Sequence, residues 1–332
     1  MKRPGGRLAV LPAVAVTALL AGCSLFTPAP GVGAAAARPT GSASPTSRPY
    51  DVSALLHPSP GKFLGIQASG APNSLNPLDS FAANVGRKPN LVGQYVPWGQ
   101  TFDAPAVQNA WSYGALYYMA WEPFGVSVPA IAAGRADAYI TQFARAVRAL
   151  NLPIALSFGH EMNGNWYPWG TTHTTAAQFV AAWRHIHQVF ARAGATNVIW
   201  VWNPNIINPV PQVPLRPLWP GRRYVNWVGI TGYFATTGAQ TYATLYQPTI
   251  DEVRRFTGKP VIIAETAIET GPAEVSCAKQ LVDSVTQHPG VLGFMWFDYN
   301  KGGVDWRVAS RPILRAAMAS DLARLPLFNP RK

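Results

Sequence analysis

Two glutamates stand at the ends of apolar runs. Glu161 follows Pro153-Ile154-Ala155-Leu156-Ser157-Phe158, and Glu265 ends Val261-Ile262-Ile263-Ala264. Around the first, Gly159-His160-Glu161-Met162-Asn163-Gly164-Asn165-Trp166-Tyr167-Pro168-Trp169-Gly170 gathers a histidine, two asparagines and three aromatics. That mixture is costly to bury as core and of little use in a solvated turn. It suits a saccharide, because aromatic faces stack on pyranose rings and a carboxyl group moves protons. Cleaving a glycosidic bond needs two carboxyl groups in different states. One must be protonated, to hand a proton to the leaving oxygen. The other must be ionised, to attack or stabilise the anomeric carbon. Burial and a neighbouring like charge raise the pKa of one of the two. A separation of about 5–5.5 Å would make such a reaction retaining.

Such a pair needs a scaffold that brings distant strand ends together. Apolar runs at Lys62–Ala68, Asn90–Val96, Ala115–Trp121, Leu152–Phe158, Val198–Asn203, Trp227–Tyr233, Pro260–Glu265 and Val291–Phe297 read as eight strands. Segments of helical period lie between them. Leu75, Leu78, Phe81 and Val85 form one such set. Phe179, Val180, Trp183, Ile186, Val189 and Phe190 form another, with Gly194 as its stop. Tyr139–Leu150, Tyr242–Phe256, Ala273–Gln287 and Ala309–Leu322 fit the same template. This rhythm predicts the α/β class and a single-domain (β/α)8 TIM barrel. Pro209, Pro211, Pro214, Pro217 and Pro220 forbid a regular helix between strands five and six. In such a barrel the site lies at the C-terminal strand ends. Polar and aromatic residues gather there: Trp98, Trp121-Glu122, His160-Glu161, Trp202-Asn203, Tyr233, Glu265, and Trp296 with Asp298.

The N-terminus predicts export. Lys2, Arg3 and Arg7 precede an apolar stretch, Leu8–Leu20, that is short for a membrane span. Leu20-Ala21-Gly22-Cys23 resembles the lipobox of bacterial lipoproteins. The expectation is a signal peptide over 1–22 and acyl chains on Cys23. A flexible Pro/Ala/Ser/Thr linker would follow over 23–57, and a catalytic body over 58–328. The protein would then sit on the extracellular face of the membrane, or be secreted. The chain of 332 residues carries net charge +12, from 27 Lys and Arg against 15 Asp and Glu. The cations are scattered rather than interleaved with aromatics in one block, so nucleic acid is not expected as a partner. With Cys23 modified, Cys277 has no disulfide partner and reads as a small buried hydrophobe. A tethered monomer is the simplest assembly, and no cofactor is implied.

The strand-four motif resembles the acid/base motif of glycoside hydrolase family 26, which consists largely of β-mannanases on a retaining clan A barrel. The likeness extends through Trp121-Glu122-Pro123, Trp200-Val201-Trp202-Asn203-Pro204-Asn205, Tyr224 to Ile230, Ala264-Glu265-Thr266, and Trp296-Phe297-Asp298 with Asp305-Trp306-Arg307. It implies that Glu161 is the general acid/base and Glu265 the nucleophile. Tyr233 would hydrogen-bond the nucleophile, and His160 would contact the sugar beside the scissile bond. Trp166 and Trp296 would be sugar platforms, and Glu122 a sugar ligand. Trp98, Trp121 and Asn203 join the candidate substrate-binding set by their strand-end positions. The chain departs from the family in having Thr231 and Arg222-Arg223 where acidic residues are common. Those changes bear on which polymer is taken: mannan by the resemblance, with β-glucan, xylan or a cell-wall glycan also open. A zinc site of the HExxH type is poorly supported, because Gly164 stands where the second histidine would be and the segment follows a strand rather than lying on a helix. A glycan-binding lipoprotein without turnover remains the reading from another class.

Overall fold

The computed structural model describes residues 48–58, 60–208, 213–237 and 241–331. Eight strands close a parallel barrel in sequence order: β1 (Phe63–Ala68), β2 (Leu91–Pro97), β3 (Leu116–Glu122), β4 (Ile154–Phe158), β5 (Val198–Trp202), β6 (Trp227–Thr231), β7 (Val261–Thr266) and β8 (Val291–Asp298). A short α1 (Ser53–Leu56) precedes them. The helices between and after the strands are α2 (Asn76–Val85), α3 (Ala104–Tyr113), α4 (Val128–Ala132), α5 (Asp137–Leu150), α6 (Ala176–Arg192), α7 (Tyr242–Arg254), α8 (Glu274–Gln287) and α9 (Pro312–Leu322). A two-stranded hairpin, β9 (Asn300–Lys301) with β10 (Val304–Asp305), follows β8. The (β/α)8 barrel expected from the sequence is the fold found.

Each strand is buried on both faces, as parallel strands under helices must be. Side-chain alternation splits the apolar core in two. Phe63, Leu91, Leu116, Tyr118, Ala155, Ile199, Trp227, Ile262 and Met295 form one cluster, drawn from strand residues that point into the barrel. A second cluster joins the opposite strand faces to the helices, where α5 contributes Ile140, Phe143, Ala144 and Val147 and α6 contributes Phe179, Trp183, Ile186 and Phe190.

The region between β5 and β6 is irregular as expected. It contains only two 3-10 turns, Arg216–Leu218 and Arg222–Tyr224, among the described residues. Pro209 and Pro211 lie outside the described residues, as do Cys23, the predicted signal over 1–22 and linker residues 23–47. The rest of the predicted linker is corrected. Tyr50 N–H donates to Asn151 Oδ1 at 2.7 Å, Leu55 is buried, and the Leu56 carbonyl accepts from Trp227 Nε1 at 3.0 Å. These contacts dock residues 50–56 on the barrel, so the folded body begins before residue 58.

Candidate active site

Beyond Phe158 the chain leaves β4 through Gly159, at φ +55°, and Glu161 itself sits at φ +55°. For a non-glycine residue this costs about 1–3 kcal/mol, and such strain persists only where its surroundings hold it. Here Glu161 N–H donates to Asn203 O at 2.7 Å, and Gly164 N–H donates to Glu161 O at 2.9 Å. The carboxyl group then meets two donors: Asn205 Nδ2 at 2.8 Å from Oε1, and Trp166 Nε1 at 2.6 Å from Oε2. Asn205 is fixed in turn by Asn163, which accepts from its backbone N–H at 2.8 Å and donates to its carbonyl at 2.9 Å. Trp166 lies over Gly164, where a Cβ would come within 2.5 Å of the indole ring. Any side chain there would displace the donor.

Glu265 is turned into the barrel by an irregularity in its own strand. Ala264 belongs to the inward-facing cluster, so regular alternation would point its neighbour outward. The register of β7 shifts between Ile263 and Thr266 against β8, and the pairing with β6 shifts at Thr231. Bulges of this kind re-aim side chains beside active sites. Glu265 thereby receives the hydroxyls of Tyr95 on Oε2 and Tyr233 on Oε1.

The two carboxyl groups are buried, at 7% and 8% exposed for Glu161 and Glu265. Burial first, then the Glu265 charge, lifts Glu161 to about 8, against the opposing pull of Asn205, Trp166 and Thr231. Burial also raises Glu265, but the Tyr233 and Tyr95 hydroxyls and the Lys301 charge pull it back down. Hydrogen bonds to the charged form favour that form. The site therefore separates the pair: Glu161 holds a proton near neutrality, and Glu265 is the better-supported anion. Burial lifts Glu122 to about 7, and burial drives His160 to about 3, leaving a neutral imidazole.

The β9–β10 hairpin braces this centre. Tyr299 packs on Tyr95 at a ring separation of 6.5 Å, and Trp306 packs on Tyr233 at 5.1 Å. Trp306 N–H donates to Tyr299 O at 2.9 Å.

Several predicted ligands have other roles. Trp296 is fully buried, and its Nε1 holds the Trp306 carbonyl at 3.0 Å, so it cannot offer a face to a sugar. Trp121 is also fully buried, stacked between Trp98 at 4.5 Å and Phe143 at 4.6 Å. Both point from their strands toward the helix layer. Asn203 is buried as well and acts through its backbone on Glu161. His160 lies beneath Tyr167, whose hydroxyl is 3.3 Å from Nε2, rather than open to the mouth. Trp98, Trp166, Glu122 and Tyr233 remain partly exposed. Sequence reasoning gave no role to Tyr95, which looks like one more apolar strand residue, nor to Asn205, which it noted only as the end of the family-like run Trp200–Asn205. Among the described residues, no three His, Cys, Asp or Glu side chains gather to hold a metal ion.

The chain resembles proteins of known type in sequence and in fold. It is 34% identical to endoglucanase H of Acetivibrio thermocellus over 273 residues, covering 77% of this chain and 29% of that protein. It is 32% identical over 81 residues to mannan endo-1,4-beta-mannosidase A and B of Caldalkalibacillus mannanilyticus, covering 22% of this chain and 15% of that protein. This chain thus spans less than a third of the length of either curated relative. The catalytic domain of a Bacillus sp. JAMB-750 GH26 endo-beta-1,4-mannanase superposes with TM-score 0.65 at 15% identity, covering 84% of this chain and 90% of that one, a likeness of fold. The model of glycosyl hydrolase family 26 matches residues 97–267, just over half the chain, a span that runs from the end of β2 to the end of β7 and includes both glutamates; the chain belongs to that family.

Proposed function

We propose that the protein is a retaining glycoside hydrolase that cleaves β-1,4-linked mannan internally by double displacement. One observation carries this reading. Two buried carboxyl groups share one site and differ in their partners: Glu161, raised by burial and the Glu265 charge, accepts from Trp166 and Asn205, while Glu265 accepts the hydroxyls of Tyr95 and Tyr233. In the first step, Glu161 gives its proton to the glycosidic oxygen while Glu265 attacks the anomeric carbon from the opposite side. The leaving chain departs with that proton, and an ester joins sugar to Glu265. In the second step, Glu161, now ionised, takes a proton from water. The oxygen attacks the anomeric carbon and Glu265 leaves as the carboxylate, which restores the starting anomer.

A second substrate reading, β-glucan, has its own support. The alignment with endoglucanase H is much longer than the one with the mannosidase. Thr231 also lies against Glu161 where many family members carry an acid. Reducing-sugar release from mannan, mixed-linkage glucan and xylan, with NMR of the first-formed product, tests both points. Mannan cleavage with the β-anomer appearing first is expected. Cleavage of glucan alone would shift the substrate to the second reading, and an α-anomer appearing first would contradict double displacement.

Tyr95→Phe and Tyr233→Phe each remove a hydroxyl that favours ionised Glu265. A hydrogen bond to a charged group is worth about 1.5–3 kcal/mol, so each variant should lose roughly tenfold to a hundredfold in kcat. Because Glu265 must be ionised to attack, the acid limb of the pH profile should move to higher pH in both. An unmoved limb would show that the hydroxyls do not support the anion.

The same reading places the enzyme at the outer membrane surface through acyl chains on Cys23. Palmitate labelling of the intact protein is expected and should vanish in Cys23→Ala; labelling that persists removes the anchor.

A further inference from the structure

The turn that leaves β3 places an aromatic ring where the core has no use for it. Pro123 fixes one backbone angle, Phe124 N–H donates to Glu122 O at 2.8 Å, and Gly125 takes φ +74°. The result holds Phe124 out at the C-terminal mouth of the barrel, 41% exposed. The other large apolar side chains exposed among the described residues are Val275 on α8 and Ile313 on α9, which are aliphatic and belong to the outer helix ring. Phe124 is also braced. Its ring meets Trp169 at 4.9 Å and 71°, and Tyr167 at 6.2 Å and 72°. Trp169 and Tyr167 stack on each other at 4.4 Å and 10°, and Trp169 Nε1 donates to the His160 carbonyl at 2.6 Å. A continuous run of rings therefore ties Phe124 to the motif that carries Glu161.

Glu122 lies two residues earlier, as the half-buried last residue of β3. Its charge acts on Tyr167, whose ring Phe124 meets, and on Tyr299 at the catalytic centre. A carboxyl group beside a rigid, partly exposed phenyl ring matches the two sides of a pyranose: hydroxyls around the edge and a C–H face. We propose that Phe124 and Glu122 form an outer glycosyl subsite. It takes a neutral β-linked hexopyranose unit beyond the two that flank the scissile bond. The phenyl face carries the ring, and the carboxyl group bonds its hydroxyls. This deepens the glycosidase reading and rests on it for the identity of the ligand.

Because the subsite is away from the reacting atoms, it acts through chain length. The test uses β-1,4-manno- and β-1,4-gluco-oligosaccharides from disaccharide to hexasaccharide, with Phe124→Ala and Phe124→Trp. In Phe124→Ala, the ratio of kcat/KM on the hexasaccharide to that on the shortest cleaved substrate should fall about tenfold, through KM. Phe124→Trp should restore the ratio. Calorimetric binding of the hexasaccharides to the same proteins carrying Glu265→Ala, so that turnover does not consume the ligand, should show the same tenfold weakening and recovery. Equal losses at every length, or no loss at the longest in either series, would overturn the subsite. If the wild-type protein binds hexasaccharide through Phe124 yet releases no reducing sugar, the hydrolase reading falls while the subsite stands.

Discussion

Glu265→Ala should lower turnover of polysaccharide by at least about 10⁴-fold, because the group proposed to form the covalent bond is gone and water has no positioned substitute on that side of the sugar. The two tyrosines that serve Glu265 keep their ring packing against Tyr299 and Trp306, so the barrel should keep its thermal midpoint. The vacated space gives a sharper readout than loss alone. A small anion such as azide can enter where the carboxylate stood and attack the anomeric carbon of an activated β-glycoside from that face. The product should be the α-glycosyl azide, with partial recovery of rate. Turnover within tenfold of wild type, or a β-azide, would assign the nucleophile elsewhere.

Glu161→Ala should behave differently even though the two residues share one site. Loss of general acid catalysis should cost about 10²–10⁴-fold on polysaccharide, where the leaving oxygen needs a proton. An aryl glycoside with an acidic phenol needs no such help, so Glu265 should still be glycosylated and the ester should accumulate. Azide should then intercept that ester and give the β-glycosyl azide. The pH profile makes a separate statement. Burial and the Glu265 charge hold Glu161 near 8. The proton it must donate is present below that pH and lost as pH rises through it, so wild-type kcat/KM should fall on the alkaline side near pH 8. The acid side is set by Glu265, which must be ionised and whose pKa is also raised by burial. The two limbs are properties of the interacting pair. In Glu161→Ala with the aryl substrate, the alkaline limb should disappear. A limb that survives the substitution belongs to another group.

Much of this arrangement was legible in the sequence, and for a physical reason. Parallel strands in a closed barrel put all their C-terminal ends on one rim, so an acid ending an apolar run is placed by topology alone. That rule located Glu161 and Glu265. It misplaced Trp121 and Trp296, because a strand buried on both faces carries no hydrophobic alternation to say which side chains point inward. The two tryptophans fell on the outward face, and Tyr95, on the inward face of β2, looked like core. Glu265 itself points inward only through the register shift in β7, which no spacing announced. The missed helix α3 buries Ala106, Val107, Ala110 and Tyr113, and two of these are alanines whose apolar signal is weak. The β9–β10 hairpin has strands of two residues each, too short for any period. Its weight in the site comes from Tyr299 and Trp306, which gain meaning only beside Tyr95 and Tyr233.

The central claim is that Glu265 forms a covalent bond to sugar. Incubating the protein with a 2-deoxy-2-fluoroglycosyl fluoride of the cleaved sugar slows both steps, while the fluoride leaving group lets the first one proceed. Digestion and mass spectrometry should then find one glycosyl unit esterified to the peptide that contains Glu265. An enzyme that hydrolyses polysaccharide yet carries the label on another residue, or carries none and releases inverted product, would contradict the account.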